Sequence, residues 1–282
     1  MENLKLGILY ICVGRYDFFW KSFYESSERY LMQGSPCIRE YFVFTDASSL
    51  YKEENRHIHR IYQYDMGWPD NTMKRFHLFL TIREQLKDFD YLFFFNANME
   101  FVAPVGIDLL PDEKDNGLVG ALHPWYCDVP PWEFPYERRR KSMAYIPYWK
   151  GKQYCQDSLI GGTADTFLRM CEICARRIDT DRMNDIIPIW HDESMINRYF
   201  IDNPPKLLDC RYNYCEERGL PIEKKIVCKE KTLYFSFTEM KRPDYDEIHS
   251  LIKQSYWESV IVNKLILLLR INRKLKRIFG LI

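Results

Sequence analysis

Two asparagines, Asn96 and Asn98, are the first residues in the chain whose types and spacing could do chemistry. They follow a run of five large apolar residues, 91–95, which predicts a buried strand. Their i, i+2 spacing places both amides on one side of the chain as it leaves the sheet. Two carboxylates here would hold a divalent cation, whereas amides can donate hydrogen bonds directly to phosphate or ribose oxygens. The alternative is an ordinary turn, in which asparagine is common.

The elements that must position these asparagines alternate between strands and helices. This alternation predicts a mostly parallel sheet covered on both faces, and such sheets bind ligands outside the carboxyl ends of their strands. Residues 124–160 are dense in Pro, Trp and Tyr without a sustained period, which is typical of a long functional loop. A short strand is expected just before the helix at 193–200. The other predictions are strands at 4–13, 39–46, 58–64 and 90–98 and helices at 16–31, 71–89 and 163–179.

Composition narrows the class of protein. The 282 residues are 46% hydrophobic, which is enough for one sizeable core. Lys+Arg and Asp+Glu both number 40, so general nucleic-acid binding is not expected. Of the nine cysteines, Cys171 and Cys174 have CxxC spacing, but they lie in a helical pattern without a second pair, so no zinc site is predicted. Free cysteines and a first segment unlike a signal peptide predict a cytoplasmic protein.

An ordered set of segments between about residues 5 and 205 resembles glycosyltransferase family 6, the histo-blood-group A/B and α1,3-galactosyltransferase family. The segments include YICVGRY, YFVFTD, NTMKRFHLF, DYLFFFNANMEF, FPYERR and WHDESMINRYF. The resemblance implies an α/β fold of the GT-A type over residues 1–240, with a mostly parallel central sheet flanked by helices. Asn-Ala-Asn is similar to the bacterial branch, in which the Asp-Val-Asp of the animal enzymes is replaced, so no divalent metal or other cofactor is expected.

The activity that the resemblance implies is a retaining hexosyl transfer. Galactose or N-acetylgalactosamine moves from UDP to the 3-hydroxyl of a galactose-containing acceptor, plain or fucosylated, in an α1,3 linkage. Glu193 matches the catalytic residue under the anomeric carbon, either as nucleophile or as stabiliser of an oxocarbenium-like centre. Its alternative role is an acidic residue in the first turn of a helix. The alternative function is a catalytically silent UDP-sugar or glycan-binding module of the same fold.

The same resemblance implies the binding residues. Arg75 is assigned to the diphosphate because its guanidinium fork suits phosphate, with a helix surface cation as the alternative. Donor choice is assigned to residues 156–158, where Ser158 is larger than the usual glycine and favours galactose. Pro135 replaces a usual threonine, which leaves acceptor preference open. The implied donor-binding residues are Tyr10, Ile11, Cys12, Val13, Tyr16, Arg75, Asn96, Ala97, Asn98, Gln156, Asp157, Ser158, Asp192 and Lys231, and the acceptor-binding residues are His123, Trp190 and His191.

Residues 241–282 form a separate helical tail in this interpretation. Within 260–282, apolar side chains at 261, 265, 268, 271, 275, 278 and 279 fall on one helical face and basic side chains fall opposite. The apolar stretch is too interrupted to span a bilayer. A basic amphipathic helix is typical of a membrane-surface anchor, here at the inner face of the cytoplasmic membrane. The alternative is a helix packed on the body or on another subunit.

Overall fold

The computed structural model describes residues 3–236 and 245–278, within which ten strands and seven α-helices are present. The strands are β1 (Leu4–Ile11), β2 (Cys37–Thr45), β3 (Ile58–Tyr62), β4 (Tyr91–Phe95), β5 (Met99–Phe101), β6 (Leu118–Leu122), β7 (Cys155–Thr163), β8 (Lys206–Leu208), β9 (Tyr214–Cys215) and β10 (Ile226–Cys228). The helices are α1 (Trp20–Tyr30), α2 (Asp70–Met73), α3 (Arg75–Thr81), α4 (Arg83–Leu86), α5 (Ala164–Met183), α6 (His191–Asp202) and α7 (Tyr245–Ile278).

The main sheet has the strand order β3-β2-β1-β4-β7-β6-β8. Strands β3, β2, β1 and β4 run parallel, β7 is antiparallel to both its neighbours, and β8 is parallel to β6. The expected α/β fold with a mostly parallel central sheet is therefore confirmed. Because the carboxyl ends of β1 and β4 are adjacent, the segments that follow these two strands, 12–16 and 96–98, meet at one edge of the sheet.

Both faces of the sheet are buried, which explains the uninterrupted apolar runs. In β1, Leu6, Ile8 and Tyr10 join a cluster with α1, whereas Leu9 joins a cluster with α3, α5 and α6 on the other face. Close packing requires glycine in β7, because a Cβ at Gly161 would lie 2.2 Å from the Phe93 ring. The sheet is thus a rigid platform for the segments at its edge.

Two local predictions differ from the structure. The helix predicted over 71–89 is divided into α2, α3 and α4, with breaks at residues 74 and 82. The short strand predicted before α6 is wrong, because residues 184–190 are irregular. Their hydrogen bonds are local or made to side chains, such as the bond from the Ile189 N–H to Glu137. A strand there would have no neighbouring strand to pair with.

A second sheet, with the order β5-β10-β9, lies beside the end of β4. Strand β5 follows Asn98 directly, and β10 pairs with it antiparallel, so that Cys228 lies opposite Met99. This pairing brings residues 228–231 of the C-terminal part of the chain to the asparagines.

The first half of α7 packs on the body. Ile252, Tyr256 and Val260 are buried against Trp68 and Ile189, and the Tyr256 hydroxyl donates a 3.0 Å hydrogen bond to the carbonyl of Tyr136. The predicted domain boundary at residue 240 lies outside the described residues. In the part of the chain that is described, no helix is long and apolar enough to cross a membrane.

Candidate active site

A cleft of about 540 Å³ opens at the carboxyl ends of β1 and β4. Its walls come from the two strand ends, the α2–α3 region, the start of β7 and residues 215–231. The predicted site residues that line it are Ile11, Val13, Tyr16, Arg75, Asn96, Ala97, Asn98, Gln156, Asp157 and Lys231. Residues widely separated in sequence therefore converge on one concave site.

The two asparagines differ in their hydrogen bonding. Asn96 is half-buried, and its Oδ1 accepts only a local bond from the Ala97 N–H at 3.2 Å. Asn98 is 2% exposed, and its Nδ2 donates to the Lys229 carbonyl at 2.6 Å and to Cys228 Sγ at 3.2 Å. The Lys229 N–H returns a 2.9 Å bond to the carbonyl of Asn98. Asn98 therefore ties the 228–231 segment to the end of β4, and Asn96 keeps its amide N–H groups for a ligand.

Lys231 lies in the cleft on the segment that Asn98 holds. Its Nζ is 5.3 Å from the centre of the Tyr16 ring, and both residues line the cleft. The neighbouring Lys229 forms an ion pair with Glu100 instead. The ammonium group of Lys231 is thus a positive charge placed close to Asn96 and the end of β1.

Arg75 is buried beneath the cleft and joins two carboxylates. Its Nε lies 2.8 Å from Asp192 Oδ2, and its Nη2 donates to Asp157 Oδ2 at 2.9 Å. Its Nη1 donates to the Asp157 carbonyl at 2.7 Å, and the guanidinium stacks 4.3 Å from the Phe94 ring centre. Arg75 therefore holds Asp157 through two hydrogen bonds and lies in ion-pair contact with Asp192, although its Nε finds no hydrogen-bond acceptor of suitable geometry among the described residues.

Glu193 lies directly behind Asp157. Its Oε1 accepts a 2.6 Å hydrogen bond from the Tyr154 hydroxyl, and its Oε2 accepts a 3.3 Å bond from the Asp157 N–H. Burial raises the pKa of Glu193 well above its usual value, and the negative charge of Asp157 adds to this. Burial also raises the pKa of Asp192, to about 8, against the opposing effect of Arg75. Asp157 and Asp192 share the Arg75 guanidinium, and Glu193 lies against the backbone of Asp157, so a charge developing beside Glu193 would meet a strong field.

The start of α6 fixes Glu193 against the sheet. The Trp190 N–H donates a 3.0 Å bond to Ser194 Oγ, which satisfies a backbone donor at the helix N-terminus. Asn197, one turn after Glu193, exchanges two bonds with the backbone of Cys155, of 2.9 Å and 2.8 Å. The first turns of α6 are therefore hydrogen-bonded to the first residue of β7, which places Glu193 next to Asp157.

The predicted acceptor residues lie beyond the lining of the cleft. Burial lowers the pKa of His123 to about 4, and its Nδ1 accepts a 3.2 Å bond from the Trp125 N–H. The ring is thus neutral at pH 7 and carries its proton on Nε2, which makes it a donor to a hydroxyl. His191 packs edge-on against Trp68 at 4.8 Å, and within the described residues the indole N–H of Trp190 finds no acceptor.

A buried ion pair in FPYERR holds the loop over this region. Glu137 is fully buried and accepts bonds from Arg139 Nε and Nη2 at 3.0 Å and 2.7 Å. Its Oε2 also accepts a 3.0 Å bond from the Ile189 N–H, just before Trp190. The loop and the entry to α6 are therefore one connected unit.

Four predicted donor residues have side chains that do not line the cleft, and one of them is the buried Asp192 described above. The Tyr10 hydroxyl donates to the Ala97 carbonyl at 2.7 Å, Cys12 is buried beneath its strand, and Ser158 Oγ donates to Asn213 Oδ1 at 2.9 Å. Tyr10 and Cys12 face the core because side chains alternate along a strand, so contact with a ligand is left to their backbone. Ser158 is fully buried and does not border the space that a donor sugar would fill.

Sequence reasoning missed several residues that complete the site. The sequence does not predict that Tyr154 bonds Glu193 or that Asn213 bonds Gln156. These partners are far apart in the chain, and nothing in the local sequence marks them. A dense polar and aromatic stretch, DMGWPDNT, was the available signal for the wall at 65–72. The missed cleft residues are Asp65, Gly67, Trp68, Asn71, Thr72, Phe94, Trp125, Cys215, Glu217, Cys228, Lys229 and Glu230.

The mostly parallel sheet, with a polar cleft at the ends of β1 and β4, is consistent with the GT-A-like fold of glycosyltransferases. The model of glycosyltransferase family 6 matches residues 1–232. The O-antigen biosynthesis glycosyltransferase WbnI of Escherichia coli is 32% identical over 229 residues, which are 81% of this chain and 95% of that protein. The chain therefore belongs to glycosyltransferase family 6.

Animal proteins of the family match over a smaller share of their own length. Human globoside alpha-1,3-N-acetylgalactosaminyltransferase 1 is 32% identical over 236 residues, 80% of this chain and 65% of that protein. Rat histo-blood group ABO system transferase 1 is 31% identical over 221 residues, 75% of this chain and 61% of that protein. Residues 1–232, which the family model matches, contain the whole lining of the cleft described above.

Proposed function

We propose that this glycosyltransferase moves galactose or N-acetylgalactosamine from a UDP-sugar to the 3-hydroxyl of a galactose-containing glycan. The anomeric configuration is retained, the linkage is α1,3, and no divalent cation takes part. The observation that carries the proposal is the position of Glu193, a buried carboxyl group held by Tyr154 and Asp157 next to a polar cleft. The alpha-1,3-N-acetylgalactosaminyl transfer for which the human relative is named supports the linkage.

In this proposal the UDP-sugar donor lies in the cleft. The backbone at the end of β1 would contact the uracil, and Tyr16 would pack on the nucleoside. The diphosphate would lie between the Asn96 amide and Lys231, whose ammonium group balances part of its charge. Gln156 and Asp157 border the space left for the hexose.

The residues at this edge do not suit a divalent cation. Both positions of the Asn-Ala-Asn segment carry neutral amides, and the amino group of Asn98 is committed to the Lys229 carbonyl. Among residues 3–236 and 245–278, no group of three or more His, Cys, Asp or Glu side chains could hold a metal. Hard cations prefer several charged oxygen ligands. The chemistry of this donor set supports transfer without a metal.

Retention requires two displacements or departure and attack on one face, and Glu193 serves in either route. In the first, its carboxylate bonds to the anomeric carbon as UDP leaves, and the acceptor hydroxyl then breaks that bond. In the second, it stabilises positive charge on the sugar while the acceptor attacks from the side that UDP leaves. Both routes need Glu193 ionised, and the Tyr154 hydroxyl and Asp157 N–H favour that form. Trp190 and the Nε2–H of His123 would orient the acceptor.

The decisive experiment measures release of UDP from UDP-galactose and UDP-N-acetylgalactosamine, with and without galactose-terminated acceptors, in buffer containing EDTA. The expected result is acceptor-dependent release in EDTA and an α1,3-linked product by NMR. Glu193→Gln is the control, which should bind UDP but form no product. Binding of UDP without turnover of either donor by the unaltered chain would support the catalytically silent binding module instead.

A further inference from the structure

Helix α7 changes its surroundings at Val260. Before this residue, Ile252 and Tyr256 are buried against the body. After it, every described side chain is exposed. This outer segment, residues 261–278, leaves large apolar side chains open over several turns, and exposed apolar surface of this extent marks an interaction site. Their exposed fractions are Ile261 58%, Val262 53%, Leu265 55%, Leu268 62%, Leu269 67% and Ile271 47%.

The charge of this end of the chain is one-sided. Residues 259–282 contain six Lys and Arg and no Asp or Glu, which leaves 34 basic against 40 acidic residues in the remainder. Two of the six, Lys264 and Arg273, are exposed among the apolar residues of the outer segment. Basic residues interspersed with exposed aliphatic ones match a partner that has an apolar interior under a negatively charged outer layer.

We propose that the outer segment of α7 lies along the surface of an anionic lipid bilayer. Its aliphatic side chains would enter the headgroup boundary, and its lysines and arginines would contact the lipid phosphates. At 1.5 Å per residue the segment is about 27 Å long, and basic residues among its exposed aliphatic ones favour a position along the surface of the bilayer. Pairing with the outer segment of a second copy is disfavoured because it would bring two groups of like charges together.

The position of α7 links the bilayer to the cleft. The buried half of the helix contacts Trp68, which lines the cleft, and packs beside Trp190 on the acceptor side. An acceptor glycan attached to a lipid would therefore reach the site from the surface on which the helix rests. This last step rests on the proposed function, whereas the lipid contact does not.

The test uses the full chain and vesicles of phosphatidylcholine, with or without phosphatidylglycerol, in a sedimentation assay. We expect binding at least tenfold tighter to the anionic vesicles and release at high salt. Each basic residue near such a surface contributes about fivefold, so the double variant Lys264→Glu, Arg273→Glu should weaken binding by at least about 25-fold. Leu265→Ser with Leu268→Ser should also release the protein. Lys253→Glu, an exposed change on the body-packed half of the same helix, is the matched control and should keep binding.

Circular dichroism and turnover of a soluble acceptor separate lipid binding from folding and from the proposed reaction. The variants should keep the circular dichroism spectrum and the turnover of the unaltered chain while they no longer bind the vesicles. Equal binding to neutral and anionic vesicles, or none to either, would overturn the proposal. So would a dimer of the full chain in analytical ultracentrifugation that Leu265→Ser with Leu268→Ser dissociates, because the face would then be an interface between copies.

Discussion

Replacing Tyr154 by Phe should slow the reaction at neutral pH and move the acidic limb of its pH profile upwards. The Tyr154 hydroxyl donates to Glu193 Oε1 at 2.6 Å, and both side chains are buried. A hydrogen bond to a charged group contributes about 1.5–3 kcal/mol. Because this bond favours the ionised carboxylate, its loss should raise the pKa of Glu193 further.

The effect on rate follows from the fraction of Glu193 that is ionised. Below the pKa this fraction falls tenfold for each pH unit, so kcat/KM should drop about 10- to 100-fold at a fixed neutral pH. Above both pKa values, the variant should approach the unaltered chain. Asp157→Asn should act in the opposite direction, because the negative charge of Asp157 raises the pKa of Glu193. Its acidic limb should therefore move to lower pH.

The assay is kcat/KM for UDP release across a pH series with one soluble acceptor. Tyr126→Phe is the matched control, since that ring packs 5.2 Å from Tyr154 and forms no hydrogen bond with Glu193. Its profile should stay in place. A loss by the same factor at every pH for Tyr154→Phe would refute the reasoning, because the hydroxyl would then matter for packing only. A shift in the same direction for Tyr154→Phe and Asp157→Asn would also refute it.

Four further changes test other parts of the site. Glu193→Gln should lower kcat by at least about a thousandfold with little change in the Kd of UDP, measured by calorimetry, because the residue acts on the sugar. Lys231→Ala should weaken UDP binding about tenfold or more, and manganese should not restore it, since the lost contact is a charge-assisted hydrogen bond. Gln156→Ala should raise the use of UDP-N-acetylgalactosamine over UDP-galactose in competition assays, whereas the buried Ser158→Gly should leave that ratio unchanged. Glu137→Ala should lower the free energy of unfolding in urea by about 3–5 kcal/mol, because it leaves the Arg139 guanidinium buried without its carboxylate.

The parts of the fold that sequence predicts are those specified locally. Strands β1 and β4 are runs of large apolar residues, because both faces of the parallel sheet are covered. Strand β7 escaped prediction, because CQDSLIGGT has two glycines and several polar residues. Its glycines are required by close contact with Phe93 in β4 and with the carbonyl of Gly117 just before β6. Such a strand is specified by its partners, and its own pattern does not mark it.

The same distinction holds for the site. The Asn-Ala-Asn position follows from the strand that precedes it, and the acidic start of α6 follows from its motif. The pairing of Arg75 with Asp157 joins residues 82 positions apart, and no spacing in the sequence marks it. The sequence predicts a diphosphate contact for Arg75, and the structure adds its contacts with two carboxylates to that prediction.

The amide of Asn98 has a structural role in addition to being uncharged. Its Nδ2 donates a hydrogen bond to the Lys229 carbonyl. An ionised aspartate at the same position has no donor, so its carboxylate oxygen would repel the carbonyl oxygen of Lys229. The bond holds the segment that carries Lys231 beside the cleft, where its ammonium group faces the site proposed for the diphosphate. An amide at this position therefore combines two effects, since it removes a charged ligand for a cation and anchors a positive side chain. On this reasoning, Asn98 and the segment 228–231 form one unit, and a carboxylate at position 98 would disturb the position of Lys231 in the cleft even with a metal present.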